Sequence, residues 1–235
     1  MQPRKVLITG SGSGIGRACT HQLLEQGHQV VGVSRSESSI SHNDYRHYRH
    51  DLTHNSSATA LKSIAKENPD IDALISNAGA GHFGSLENFS AAQIQASIDL
   101  NLVSHMLVTH AFIATLKSQA RANVIFIGSE SALKGGRQGS VYCAAKFGLR
   151  GFAQSLRDEC YGANVHVGIV NPGMVRTAFF DELSFAPGGD AQNALTAEDV
   201  AAAIELMLNA RDNAVIDEIN LSPLKKVVDK KPKLS

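Results

Sequence analysis

Short apolar runs alternate along the chain with longer stretches in which apolar residues recur every three or four positions. The runs Lys5–Thr9, Gln29–Ser34, Ala73–Ser76, Asn123–Gly128, His166–Val170 and Ala214–Leu221 read as β-strands, and a weaker one precedes Asp51. Most are continuously apolar rather than alternating, as strands covered on both faces of a parallel sheet must be. Between them, Val200, Ala203, Ile204, Met207 and Leu208 fall at i, i+3, i+4, i+7 and i+8, one buried helical stripe. Thr196 with Asp199, and Ser90 with Gln93, have the spacing of capping boxes that start helices. Strand and helix patterns in alternation predict an α/β fold, a Rossmann-like doubly wound parallel sheet of about seven strands with helices on both faces. No linker, repeat or low-complexity segment interrupts the pattern, so a single domain is expected over residues 1–235.

The first strand runs directly into Thr9-Gly10-Ser11-Gly12-Ser13-Gly14-Ile15-Gly16, and a helix follows to about Gln26. Glycines here let backbone approach a pyrophosphate, and the helix N-terminus offers free N–H groups and a positive dipole end. The spacing does not fit G-x-G-x-x-G, whose third position falls on Ile15 or Arg17. It fits T-G-x-x-x-G-x-G, and in this the chain resembles the classical subgroup of the short-chain dehydrogenase/reductase family. The resemblance extends to about Pro223 and implies a nicotinamide cofactor held by Gly10, Ser13, Gly14, Ile15 and Gly16.

Strand two ends in Ser34-Arg35. An NAD site usually carries an acid at this point to hold the ribose 2′-hydroxyl, and that acid repels a 2′-phosphate. Ser34 can donate to a phosphate and Arg35 can pair with it, so NADP(H) is expected in preference to NAD(H). The position where many NADP-preferring relatives carry a second basic residue is Ser13 here.

Tyr142 and Lys146 match the family's Y-x-x-x-K, and four residues on a helix put both on one face. A free Tyr has a pKa of about 10, and lowering it by about three units takes about 4 kcal/mol. One ammonium about 4 Å away at an effective dielectric of about 20 supplies that much, so an acidic Tyr142 is expected. By resemblance, Ser129, thirteen residues earlier at a strand end, holds the substrate oxygen, and Asn101, on a helix, orders a water behind Lys146. The same resemblance assigns cofactor contacts to Asp51 and Leu52 after the third strand, to Asn77, Ala78 and Gly79 after the fourth, and to Pro172, Gly173, Val175 and Thr177. The resemblance implies that Tyr142 and Lys146 contact the cofactor too. Ser76 stands where the family usually has Asn.

Composition sets limits. Lys+Arg and Asp+Glu are equal at 22 each, which argues against nucleic acid bound through bulk charge. Cys19, Cys143 and Cys160 are an odd number without metal-ligand spacing, as expected of free thiols in a cytoplasmic protein. Strand-forming residues begin too early for a signal peptide, and no apolar run suits a membrane span. His42, His47, His50 and His54 cluster near Asp44 and Asp51, but their spacing suits no standard zinc pattern, so no metal is expected.

Phe179, Phe180, Leu183 and Phe185 fall in the stretch of about 177–195 where the family has its substrate lid, implying an apolar cover; Arg137 and His82 are further candidates to reach substrate. The basic tail of about 224–235, with Lys225, Lys226, Lys230, Lys231 and Lys233, reads as a solvated, frayed end. The partner implied is a small carbonyl or alcohol substrate, with neither nucleic acid nor membrane. A homodimer or homotetramer is implied through two long helices near Leu102–Lys117 and Tyr142–Tyr161. The competing reading is a catalytically silent NADP(H)-binding sensor or scaffold. An epimerase or dehydratase of the extended subgroup fits less well, because those chains are longer and space their glycines differently.

Overall fold

A computed structural model describes residues 3–231. In chain order the elements are β1 (Lys5–Thr9), α1 (Gly14–Glu25), β2 (Gln29–Ser34), β3 (Tyr45–Arg49), α2 (Ser57–Glu67), β4 (Ala73–Ser76), α3 (Ala91–Ile98), α4 (Ser104–Lys117), β5 (Ala122–Ile127), α5 (Ser140–Glu159), β6 (Val165–Pro172), β7 (Phe185–Pro187), α6 (Ala197–Leu208), β8 (Glu218–Leu221) and β9 (Val228–Lys230). Seven strands form one sheet in the order β3-β2-β1-β4-β5-β6-β8, every pair parallel. The order reverses between β1 and β4, and the carboxyl ends of strands at such a reversal leave a crevice for a ligand.

The continuous apolar runs explain why both faces are covered. Leu7, Val31, Leu74, Val124 and Phe126 point one way, against Leu61 of α2, Phe112 of α4 and Leu149 of α5. Val6, Ile8, Val30, Ile75 and Ile125 point the other way, against Leu23 of α1 and Ile204 of α6. Both expected capping boxes form, at Ser90 with Gln93 and at Thr196 with Asp199.

Three expectations are corrected. The last sheet strand covers only Glu218–Leu221, not Ala214–Leu221, because its pairing with β6 begins at Ile169 with Glu218. The two long helices run Ser104–Lys117 and Ser140–Glu159, the first preceded by a wide π-helical turn over Asp99–Val103. The basic tail is not frayed over its described part. Its strand β9 pairs antiparallel with β7, and Val227 accepts from the Gly188 N–H at 3.0 Å. Lys226 Nζ reaches Glu130 at 2.6 Å, and Lys231 Nζ donates to the Phe180 carbonyl at 2.5 Å. Backbone at Lys230 completes a two-stranded ribbon, and the Lys231 ammonium ties the tail to the segment at Phe180. Lys233 lies outside the described residues.

Candidate active site

The glycine turn is shaped by contact with β4. A Cβ on Gly10 would sit 2.8 Å from Asn77 Nδ2, and Gly10 has φ of +69°, so both space and backbone conformation call for glycine. A Cβ on Gly16 would lie 2.2 Å from the Gly10 carbonyl oxygen. Asn77 locks the turn by donating from Nδ2 to the Thr9 carbonyl at 3.0 Å, while Thr9 Oγ1 accepts from the Asn77 and Ala78 N–H groups at 2.9 and 3.1 Å. Helix α1 starts at Gly14 with no side chain capping it from Ser13, which leaves its first N–H groups for a ligand. Gly10, Ser13, Ser34, Arg35, Asp51, Leu52, Ala78 and Gly79 line one groove, together with Gly12, Ser36, His50 and Leu100. Thr177 lies across the turn, its Cβ 3.5 Å from a Cβ built on Gly14. Bare glycine backbone, an uncapped helix start and a basic residue at the far end fit a dinucleotide with a pyrophosphate in its middle.

Asp51 accepts from the Thr53 N–H and Oγ1 at 2.9 and 2.7 Å, and the Thr53 backbone bond leads the causes that hold its carboxyl below the usual range. Ser34 Oγ donates to the Ser36 carbonyl at 3.0 Å and meets His47 Nε2 at 2.8 Å. Burial lowers the pKa of His47, with Glu37 opposing. Val175 is buried and bridges to Leu195, Gly173 N–H donates to the Leu221 carbonyl at 2.8 Å, and Pro172 ends β6. Ile15 packs against the core face that includes Leu23.

The four expected catalytic residues meet at the carboxyl edge of the sheet. Lys146 Nζ donates to the Ile127 carbonyl at 3.0 Å and sits 5.8 Å from the centre of the Tyr142 ring. Ser129 stands beside Tyr142, close enough for its hydroxyl to favour the phenolate. Asn101 Oδ1 and Lys146 Nζ flank Gly79, at 3.0 and 3.7 Å from a Cβ built there. Two details differ from expectation. Asn101 lies in the π-helical turn rather than on a regular helix, and its side chain grips backbone: Nδ2 donates to the Ala80 and Ser97 carbonyls, each at 3.0 Å, and Oδ1 accepts from the Ala80 N–H at 3.2 Å. The expected acidic tyrosine is also corrected. Burial dominates and pushes Tyr142 up to about 12, with the Ser129 hydroxyl only partly opposing, while burial lowers Lys146 to about 8. One ammonium does not offset the cost of taking a phenolate out of water.

Sequence reading missed three neighbours. Phe83, in the loop after β4, lies tilted against Tyr142 with ring centres 5.1 Å apart, and meets Phe185 edge-on at 5.2 Å. Phe179 stands 6.2 Å from Tyr142, and Phe180 links Phe179 to Phe185. The expected lid is therefore an aromatic wall around the phenol, with β9 behind it. His105, one turn after Asn101, is buried, and its Nδ1 meets Ser76 Oγ at 2.7 Å. Burial, with Lys146 nearby, holds its pKa well below the usual value. The third neighbour is His47. A polar residue at i+4 from Asn101 was the one available signal for His105; Phe83 had none, and His47 stood out only as a member of the histidine cluster. Among the described residues no group of three or more His, Cys, Asp or Glu could hold a metal. The three cysteines are free and buried.

The sheet order, the glycine turn at its reversal and the Tyr–Lys helix together define a Rossmann-type dinucleotide-dependent oxidoreductase. The sequence pattern of the short chain dehydrogenase family matches residues 4–186, and the chain belongs to that family. It is 32% identical over 182 residues to 3-ketodihydrosphingosine reductase of Bacteroides thetaiotaomicron, covering 77% of this chain and 67% of that one. It is 33% identical over 184 residues to the 3-oxoacyl-(acyl-carrier-protein) reductase of Buchnera aphidicola, covering 75% of each. The fold superposes with a TM-score of 0.82, at 22% identity, on an alcohol dehydrogenase from Thermococcus sibiricus complexed with 5-hydroxy-NADP, covering 94% of this chain and 96% of that one. The protein is an NAD(P)-dependent enzyme acting on CH–OH or C=O groups. Among the described residues no helix is long and apolar enough to cross a membrane.

Proposed function

We propose that the protein is an NADP(H)-dependent carbonyl reductase with Tyr142 as its general acid. The observation that carries this is the buried Tyr142 phenol, with Ser129 beside it and Lys146 Nζ 5.8 Å from its ring centre, at the end of the cofactor groove. When bound, the nicotinamide supplies the hydride. Ser129 and Tyr142 hold the substrate oxygen, and Tyr142 gives its proton to that oxygen as the carbon is reduced. Burial favours this direction. A phenol pushed up to about 12 is protonated at neutral pH, the form that donates. Lys146, anchored on Ile127, keeps a positive charge beside the phenol to stabilise the phenolate left behind. Asn101 pins Ala80, and through it the Asn77–Gly79 wall of the groove, so its main contribution is positioning.

Ser34 and Arg35 carry the NADP(H) preference. Arg35 is exposed at the groove and belongs to none of the salt bridges among the described residues, so its charge is available for a phosphate. The Phe83, Phe179 and Phe185 wall suits an apolar small-molecule carbonyl. A homodimer or homotetramer would form through α4 and α5, where Phe147 is 44% exposed. The reading is tested by following NADPH absorbance against a panel of ketones and aldehydes. At least one should be turned over with NADPH in preference to NADH. Arg35→Ala should weaken NADPH binding about ten-fold, the loss of one charge-assisted contact, and leave NADH binding unchanged in fluorescence titration. Tight NADPH binding with no turnover of any substrate would favour the silent sensor instead.

A further inference from the structure

We infer that the inner face of β3 supplies the rest of the 2′-phosphate site, with Arg49 as a second cation and His47 as the positioning residue for Ser34. The inference rests on the NADP(H) reading above and adds residues that do not line the groove directly.

Tyr45, His47 and Arg49 alternate along β3 and therefore share one face of the strand. That face lies against the glycine turn and the end of β2, which border the groove. Tyr45 hydroxyl meets Ser11 Oγ of the glycine turn at 3.1 Å, and the Tyr45 ring stacks with His47 at 6.2 Å between centres. His47 Nε2 meets Ser34 Oγ at 2.8 Å. One step further, Arg49 pairs in register with Ser34, and its Nε donates to the Arg35 carbonyl at 3.1 Å. Three side chains thus run from the pyrophosphate turn to the tip of β2, where a 2′-phosphate would lie.

The hydrogen-bond polarity suits an anion. Ser34 Oγ lies 3.0 Å from the Ser36 carbonyl and 2.8 Å from His47 Nε2; with its one hydrogen on the carbonyl, the hydroxyl accepts from the Nε2–H tautomer of His47. His47 thereby keeps the Ser34 hydrogen directed at the Ser34–Ser36 segment that borders the groove, where it can turn to a phosphate oxygen. Without that donor the hydroxyl could turn its hydrogen back toward β3 and face the anion with a lone pair.

Arg49 stands ready in the same way. Its guanidinium is 65% exposed, and Glu37, its carboxylate partner at 3.5 Å, is 75% exposed. Exposed pairs of this kind are weak, so Arg49 can exchange Glu37 for a dianionic phosphate, which a guanidinium holds in a bidentate geometry.

The test uses adenosine 2′,5′-bisphosphate and adenosine 5′-monophosphate as probes, with affinities measured by calorimetry on the intact protein. The wild type should prefer the bisphosphate at least ten-fold. Arg49→Ala should cut that preference about ten-fold while leaving the affinity for the monophosphate unchanged, and Arg49→Lys should recover part of it. His47→Leu should lower the preference, and His47→Gln, which keeps a donor toward Ser34, should restore it. Glu37→Gln, which removes the competing carboxylate, should raise it. If Arg35→Ala removes the preference but Arg49→Ala and His47→Leu keep it within two-fold, the inference fails and the NADP(H) reading stands. Equal loss of both probes in the β3 variants means a structural role and also overturns it. A wild type without preference overturns the NADP(H) reading and this inference together.

Discussion

Tyr142→Phe should reduce carbonyl reduction about a thousand-fold, within the range that a positioned general acid contributes, with cofactor affinity changed less than about three-fold. The two observations separate because the phenol and the ring do different things. The hydroxyl lies beside Ser129 and supplies the proton, whereas the ring packs against Phe83 at 5.1 Å and Phe179 at 6.2 Å. Phenylalanine keeps that packing. Lys146 stays on the Ile127 carbonyl at 3.0 Å, so the groove is unaltered. Single-turnover reduction and a cofactor titration on the same preparation check both halves.

Gly16→Ala should abolish cofactor binding, weakening it by more than about a hundred-fold, since the added methyl meets backbone that cannot be repacked as a side chain can. It would lie 2.2 Å from the Gly10 carbonyl oxygen and 2.6 Å from Asn77 Nδ2. Relief requires α1 to move away from the turn, taking with it the N–H groups that start at Gly14. The same shift breaks the Asn77 anchor, so a stability loss of about 1–3 kcal/mol should accompany it. Gly151→Ala is the control: nothing lies within 4 Å of a Cβ at that position of α5, and cofactor binding should be unchanged. Titration of the two variants with NADPH, alongside their urea midpoints, decides the matter.

What could be read from the sequence was what local chemistry determines. The strands β1, β2 and β4 are marked by unbroken apolar runs, and both capping boxes involve residues three apart. The meeting of Tyr142, Ser129, Lys146 and Asn101 was anticipated by family spacing, but their energetics were not. The expected acidity of Tyr142 counted the attraction of one ammonium and left out desolvation, and Tyr142 is 5% exposed. The tail failed for a different reason. Val228–Lys230 is only three residues long and two of them are charged, and its partner Phe185–Pro187 lies some forty residues back, so no local pattern announced the pairing. Phe83 and His47 reach the site from loops and strands whose own sequence has no bearing on Tyr142 or Ser34. His105 and Ser76 were legible only as two polar residues in apolar surroundings, one of them a departure from the family pattern; the structure shows them bonded to each other at 2.7 Å.

The most direct test of the account follows the hydride itself. The protein is incubated with NADPH deuterated at C4 of the nicotinamide and with any ketone that the absorbance panel selects, and the product is examined by mass spectrometry. The account predicts an alcohol carrying one deuterium on its carbinol carbon, formed as fast as cofactor is consumed and almost absent with Tyr142→Phe. An alcohol without the label, or one formed equally fast by that variant, would contradict it.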